Sequence, residues 1–148
     1  MELTGDDKVE LIHLRNLYGH VLDAFLWEHR DQIFAPDGVF DPSDVGLPIM
    51  HGLDEIRAKL IPIEEGPDGD RIHIHVGTNA AIIAVGDDGV VHMRSKYLFS
   101  TPQATSINFG EYEDSCIKTP EGWRIKYRKT RRVSSFPPAI GTTTRPGS

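Results

Sequence analysis

The sequence predicts a single α+β domain: a long N-terminal helix and two short helices packed on a curved antiparallel sheet that encloses a pocket. Two observations carry this. Leu11, Leu14, Tyr18, Val21 and Phe25 recur at spacings of three and four, the mark of an amphipathic helix. After residue 71 the texture changes to strand-length runs separated by turn residues, which reads as a hairpin-connected meander.

The first helix is expected from Asp6 to Trp27, and a second, short one from His29 to Phe34. Ala35-Pro36-Asp37-Gly38 then supplies turn chemistry, so that a strand begins at Val39 and Phe40. A third helix is expected from Gly52 to Leu60. Asp54 and Glu55 favour its positive end, and Pro62 stops it. The acidic loop Glu64 to Asp70 leads into four strands: Ile72 to Val85, Val90 to Ser100, Ile107 to Lys118 and Trp123 to Val133. Gly86-Asp87-Asp88-Gly89 and Pro120-Glu121-Gly122 form turns between them. The domain spans 1–135, and the Pro, Thr and Gly-rich stretch 136–148 reads as a loose tail.

Composition narrows the function. Hydrophobic residues make up 39% of the chain and charged residues 26%, the balance of a folded globular protein. A net charge of -6 argues against a nucleic-acid surface. The one basic cluster, Arg128, Lys129, Arg131 and Arg132, alternates along a strand and reads as a solvated edge. A lone Cys116 can form no internal disulfide, which fits a reducing cytoplasm. No apolar run predicts a leader or a membrane span. His73 and His75 share a strand face, but no third ligand stands at a motif spacing, so no metal and no cofactor are expected. His13, His20, His29, His51 and His92 read as surface or packing residues, and Asp41 and Asp44 as turn caps.

Several segments together resemble one known family. Leu17-Tyr18 through Asp23, followed by Ile33-Phe34-Ala35-Pro36-Asp37-Gly38-Val39-Phe40-Asp41, is similar to the opening of the SnoaL-like branch of the nuclear transport factor 2-like superfamily. Gly52 with Ile56 resembles its short third helix, and His75-Val76-Gly77-Thr78-Asn79 its catalytic-histidine strand. Gly110-Glu111-Tyr112 with Gly122-Trp123-Arg124-Ile125 resembles its last hairpin. In motif the nearest members are the hexachlorocyclohexane dehydrochlorinase, scytalone dehydratase and bile-acid dehydratase. The superfamily also holds polyketide cyclases and noncatalytic domains, so the fold alone names no reaction. The resemblance implies a cone-shaped fold and a homo-oligomer, dimer or trimer. It also implies an acid-base site in which Asp23 and His75 match the family's aspartate and histidine, Tyr18 a tyrosine, and Arg128 an arginine.

These residue types suit proton chemistry. An imidazole titrates near neutral pH, so His75 can take a carbon-bound proton if a carboxylate such as Asp23 orients its ring. Tyr18 can assist a departing hydroxyl, and Arg128 can hold developing negative charge. The expected activity is a cofactor-independent lyase of the dehydratase type, acting on a hydrophobic oxygenated small molecule. The alternatives are a ketosteroid-isomerase-like or cyclase reaction in the same pocket, or a noncatalytic binding or assembly module. Periodicity opposes part of this reading. On the helical wheel Asp23 lies with Ile12, Asn16 and Gly19, opposite Leu14, Val21 and Phe25, which predicts exposure to solvent. Tyr18 lies inside the apolar stripe, where a core tyrosine is the plain expectation.

Overall fold

A computed structural model describes residues 1–65, 74–100 and 107–132. Helix α1 spans Gly5–Asp23. Its start is set by a capping box: the Thr4 hydroxyl accepts from the Asp7 N–H at 3.1 Å, and the Asp7 carboxylate accepts from the Thr4 N–H at 3.0 Å. Asp7 also accepts from Trp123 Nε1 at 3.0 Å and from Lys118, which ties the head of the helix to the far end of the sheet. The helix ends four residues before Trp27. Ala24 donates back to the His20 carbonyl, and Phe25 adopts a left-handed φ of 56° that turns the chain away. A 3-10 turn follows at Trp27–Gln32, in place of the helix expected from His29 to Phe34. Phe34 already belongs to a strand.

Strand β1 is Phe34–Asp41 and β2 is Met50–His51. Helix α2 is Gly52–Glu65. It runs through position 62, so the proline does not stop it; one missing backbone donor is tolerated where Ile56 and Leu60 already anchor the helix in the core. Strands β3 (Ile74–Val85), β4 (Val91–Ser100), β5 (Asn108–Thr119) and β6 (Gly122–Arg132) form the meander. The sheet has six strands in the order β2-β1-β6-β5-β4-β3. It is mixed and not purely antiparallel, because β1 pairs parallel with β6. That pairing joins segments nearly ninety residues apart, so no local turn signal could have announced it. The sheet is curved and unclosed. The expected loop from Glu64 to Asp70 and the tail lie largely or wholly outside the described residues. No described helix is long and apolar enough to cross a membrane.

The core packs Leu11, Val21, Met50, Val91, Trp123 and Ile125 against one another. Arg128 sits among them at 0% exposure, so it is not part of a solvated edge. A bulge is responsible. Ser115 pairs with Tyr127 and Cys116 with Ile125, which leaves Lys126 as an extra residue on β6. The extra residue reverses the alternation of the strand beyond it, so Arg128 and Thr130 face inward as Trp123 and Ile125 do. Arg128 forms a two-pronged ion pair with Asp114, Nε to Oδ1 at 2.7 Å and NH2 to Oδ2 at 2.8 Å. Its guanidinium carbon also lies 4.3 Å from the centre of the Tyr18 ring and 4.4 Å from that of Tyr112. Burial opposes the charge, but Asp114 outweighs it and raises the arginine above its ordinary pKa. Replacing Asp114 by Ala strands that charge and should cost about 3–5 kcal/mol in urea unfolding. The paired change Asp114→Leu with Arg128→Met should cost less than the single one. Equal or smaller loss in the single variant would contradict a buried pair.

Candidate active site

Asp23 is the last residue of α1, and His75 is the second residue of β3. The helix and strand approach closely because Gly19, one turn before Asp23, has no side chain. A Cβ there would lie 3.0 Å from the His75 carbonyl oxygen. The Asp23 carboxylate consequently reaches His75 twice. Its Oδ2 accepts from the His75 main-chain N–H at 2.7 Å, and its Oδ1 lies 2.7 Å from the ring Nδ1. An ionised carboxylate only accepts, so Nδ1 carries the proton and, in the neutral ring, Nε2 keeps its lone pair. The wheel expectation of solvent exposure is corrected for this end of the helix: Gly19 and Asp23 lie against β3, and the side chains of Asp23 and His75 are 18% and 9% exposed.

His75 opens onto a cavity of about 470 Å³ between the sheet and the segments from β1 and α2. Register explains part of its wall. His75, Phe99 and Asn108 are paired across β3, β4 and β5 and line the cavity as one row. Phe40, Phe99 and Phe109 line the space without filling it, and Tyr18, Tyr97 and Tyr112 add phenol rings. The Tyr18 ring meets His75 edge-on with centres 6.1 Å apart, and it also packs on Phe34, Phe40 and Tyr112. It is therefore a buried tyrosine of the apolar stripe and a wall residue of the cavity together. Arg128 does not line the cavity; it lies behind Tyr18 and Tyr112. A second cavity of about 380 Å³, beside α1 and β3, shares His75, Tyr18, Tyr97 and Tyr112 as its wall and includes Asp23 and Arg15.

Three of these residues were not singled out from the sequence. Tyr112 alternates inward with Asp114 on β5, a signal that was legible once the inner face of that strand was known. Tyr97 behaves likewise on β4; burial raises its pKa, and its hydroxyl donates to the Arg131 carbonyl at 3.3 Å. Arg15 carried no local signal. No three His, Cys, Asp or Glu side chains converge as a metal site among the described residues, and His73 lies outside them.

The segment after β1, which carries part of the cavity wall, is held by a polar clamp. Asp41 caps its turn through the Ser43 N–H at 3.1 Å and also accepts from Tyr127 Oη at 2.9 Å and Lys129 Nζ at 3.0 Å. Lys129 pairs with Asp44 as well, at 3.2 Å. The clamp fixes the segment carrying Pro42, Val45 and Leu47, all of which line the cavity.

With this geometry in place, comparison with known proteins is decisive for the family. Residues 4–129 match the SnoaL-like domain. The chain belongs to the SnoaL-like family. No curated protein matches it significantly. Among solved structures it is similar to a protein of unknown function with a cystatin-like fold from Nostoc punctiforme, at 24% identity and a TM-score of 0.74, covering 93% of this chain and 98% of that one. It is similar too to an NTF2-like protein with a cystatin-like fold from Novosphingobium aromaticivorans, at 19% identity and a TM-score of 0.70, covering 88% and 84%. A protein of the same organism provisionally named as scytalone dehydratase has 20% identity and a TM-score of 0.68, covering 87% and 88%. Identities this low establish the shared fold, and this SnoaL-like chain has the NTF2-like α+β architecture.

The clamp makes stability pH-dependent in a defined direction. Burial alone would raise the Asp41 carboxyl, but hydrogen bonds from Ser43, Lys129 and Tyr127 outweigh it and lower its pKa from 3.8 to about 2. A lowered carboxyl stabilises the fold above its ordinary value, and that contribution is lost as pH falls from 3.8 through about 2. Its size is about 2 kcal/mol. Unfolding free energy followed by urea titration should fall more steeply across this window in the native protein than in Asp41→Asn. Parallel curves would remove Asp41 from the clamp.

Proposed function

We propose that this protein is a cofactor-independent lyase that removes water from a hydrophobic oxygenated molecule by β-elimination. The observation that carries the reading is the Asp23–His75 hydrogen bond at 2.7 Å, placed in the wall of a cavity lined by aromatic rings. His75 Nε2 takes the proton from the carbon next to a carbonyl. The electron pair of the broken C–H bond forms the new C=C bond, and the β-hydroxyl leaves as water after gaining a proton. Asp23 holds the imidazole in the tautomer protonated at Nδ1 and unprotonated at Nε2, and stabilises the imidazolium that forms. The Tyr18 phenol, beside His75, is the donor to the departing oxygen. Arg128 acts from behind, where its positive charge favours negative charge developing on the Tyr18 and Tyr112 oxygens. The similarity of fold to a protein provisionally named as scytalone dehydratase supports the same class.

A test needs a β-hydroxy ketone small enough for the cavity. 3-Hydroxy-1-tetralone loses one water to give the enone tautomer of 1-naphthol, whose fluorescence reports turnover. The unaltered protein should form naphthol, and His75→Gln should lower kcat by a factor of about 10² to 10⁴. Asp23→Asn should lower kcat with KM nearly unchanged, because it removes the orienter and leaves the cavity walls intact. Exchange of the C2 proton for deuterium without loss of water would replace elimination by an isomerase-type proton transfer. Binding of the ketone with neither reaction would overturn the lyase in favour of a binding module.

A further inference from the structure

Among the described residues Arg15 is, with Arg128, one of two buried arginines, and its surroundings differ from those of Arg128. It is 6% exposed and lines the smaller cavity together with Asn16, Asp23, His75 and Gly77. Its NH2 donates to the Lys96 carbonyl at 2.7 Å, and its NH1 makes a long 3.4 Å contact with Asn16 Oδ1. Its buried Nε has no hydrogen-bond partner among the described residues. No carboxylate among those residues forms an ion pair with it. Asp114 is committed to Arg128 by both oxygens, and Asp23 to His75 by both of its own.

The position is built. The guanidinium lies over Gly77, where a Cβ would stand 1.3 Å from NH1, so only a glycine on β3 leaves room for the arginine in this place. Arg15 and Arg128 flank the same Tyr112 ring, with guanidinium carbons 6.0 Å and 4.4 Å from its centre. Two buried cations therefore lie around one ring, and the carboxylate of Asp114 is bonded to only one of them, Arg128. Burial and the repulsion of Arg128 lower the pKa of Arg15, and Tyr112 and Asp114 offset only part of this. A buried charge without a matching anion is costly, and evolution of an all-protein interior removes it more readily than it keeps it.

We infer that the cavity beside α1 and β3 is an anion subsite in which Arg15 binds the carboxylate of a substrate or ligand, next to His75. The subsite deepens the proposed function by giving its substrate class: an aromatic or alicyclic carboxylic acid whose apolar body lies against the shared wall of Tyr18, Tyr97 and Tyr112. It rests on that reading only for the statement that the bound acid is a substrate. Binding itself is independent of turnover.

The test compares 2-naphthoate with 2-naphthalenemethanol, which have the same ring system and differ in charge, by calorimetric titration of the full chain. A charge-assisted hydrogen bond to a buried guanidinium should make the acid bind about 10- to 100-fold tighter than the alcohol. In Arg15→Met the two should bind nearly equally, with the alcohol unaffected. Should Arg15→Met not fold, the native protein still decides: naphthoate should shift the Arg15 Nε–H resonance and slow its exchange with water, and the alcohol should do neither. Equal binding of acid and alcohol by the native protein, or an unmoved Nε–H resonance at saturating naphthoate, would overturn the subsite. A preference for the acid in a protein that does not dehydrate 3-hydroxy-1-tetralone would uphold the subsite and count only against the elimination.

Discussion

The arrangement around His75 depends on how closely α1 can approach β3. At Gly19 the helix comes within side-chain distance of the strand's own backbone, so that the His75 carbonyl lies where a Cβ would otherwise crowd it. That contact places the end of the helix at the correct height for one carboxylate to serve both the main-chain N–H and the ring of His75. Holding backbone and ring together removes most of the freedom of the histidine. A residue anchored only through its ring would sample several rotamers and several directions of Nε2. A second glycine on β3, Gly77, leaves the matching space for Arg15. The two small residues together let one helix bring an acidic and a basic side chain onto one strand.

Behind this contact the domain carries a buried polar layer. Arg128 and Asp114 are joined by two hydrogen bonds and capped by the faces of Tyr18 and Tyr112, and these two tyrosines are also walls of the cavities. The layer supplies rigidity to the wall. It also gives the aromatic cavity a positive side, which an interior of apolar residues would lack. On the outer face, Glu111 is covered by Arg94 and Lys96, and Glu113 pairs with Arg131 at 3.0 Å, so the sheet keeps its charges in opposed pairs there. The charged residues of β4, β5 and β6 thus divide between an inner group behind the cavity walls and a group of ion pairs on the other face.

Much of this was legible in order along the chain. The apolar stripe of α1 and the turn residues at Gly86 to Gly89 and at Pro120 to Gly122 act locally, and the four long strands begin and end within two residues of their expected positions. Tyr18 was legible twice, as a stripe residue and by resemblance, and it is both buried and part of the cavity wall. Asp23 shows the limit. Its wheel position describes an isolated cylinder in water, and nothing in that periodicity records that a strand from fifty residues later covers the last turn. Arg128 shows another limit, because one bulge at Lys126 exchanges the faces of everything beyond it.

The sequence by itself determined the class of the domain, the order of its elements and the family to which they belong. The class and the order depend on periodicity, caps and turns, all of which act over a few residues, and the family on the resemblance of particular motifs. Only the tertiary structure decided that the sheet is mixed, that Arg128 is buried with Asp114, and that Asp23, His75, Tyr112 and Arg15 meet at one wall. Those outcomes depend on register and on helix-to-strand distance, and both are set by long-range packing at particular small residues and at one inserted one.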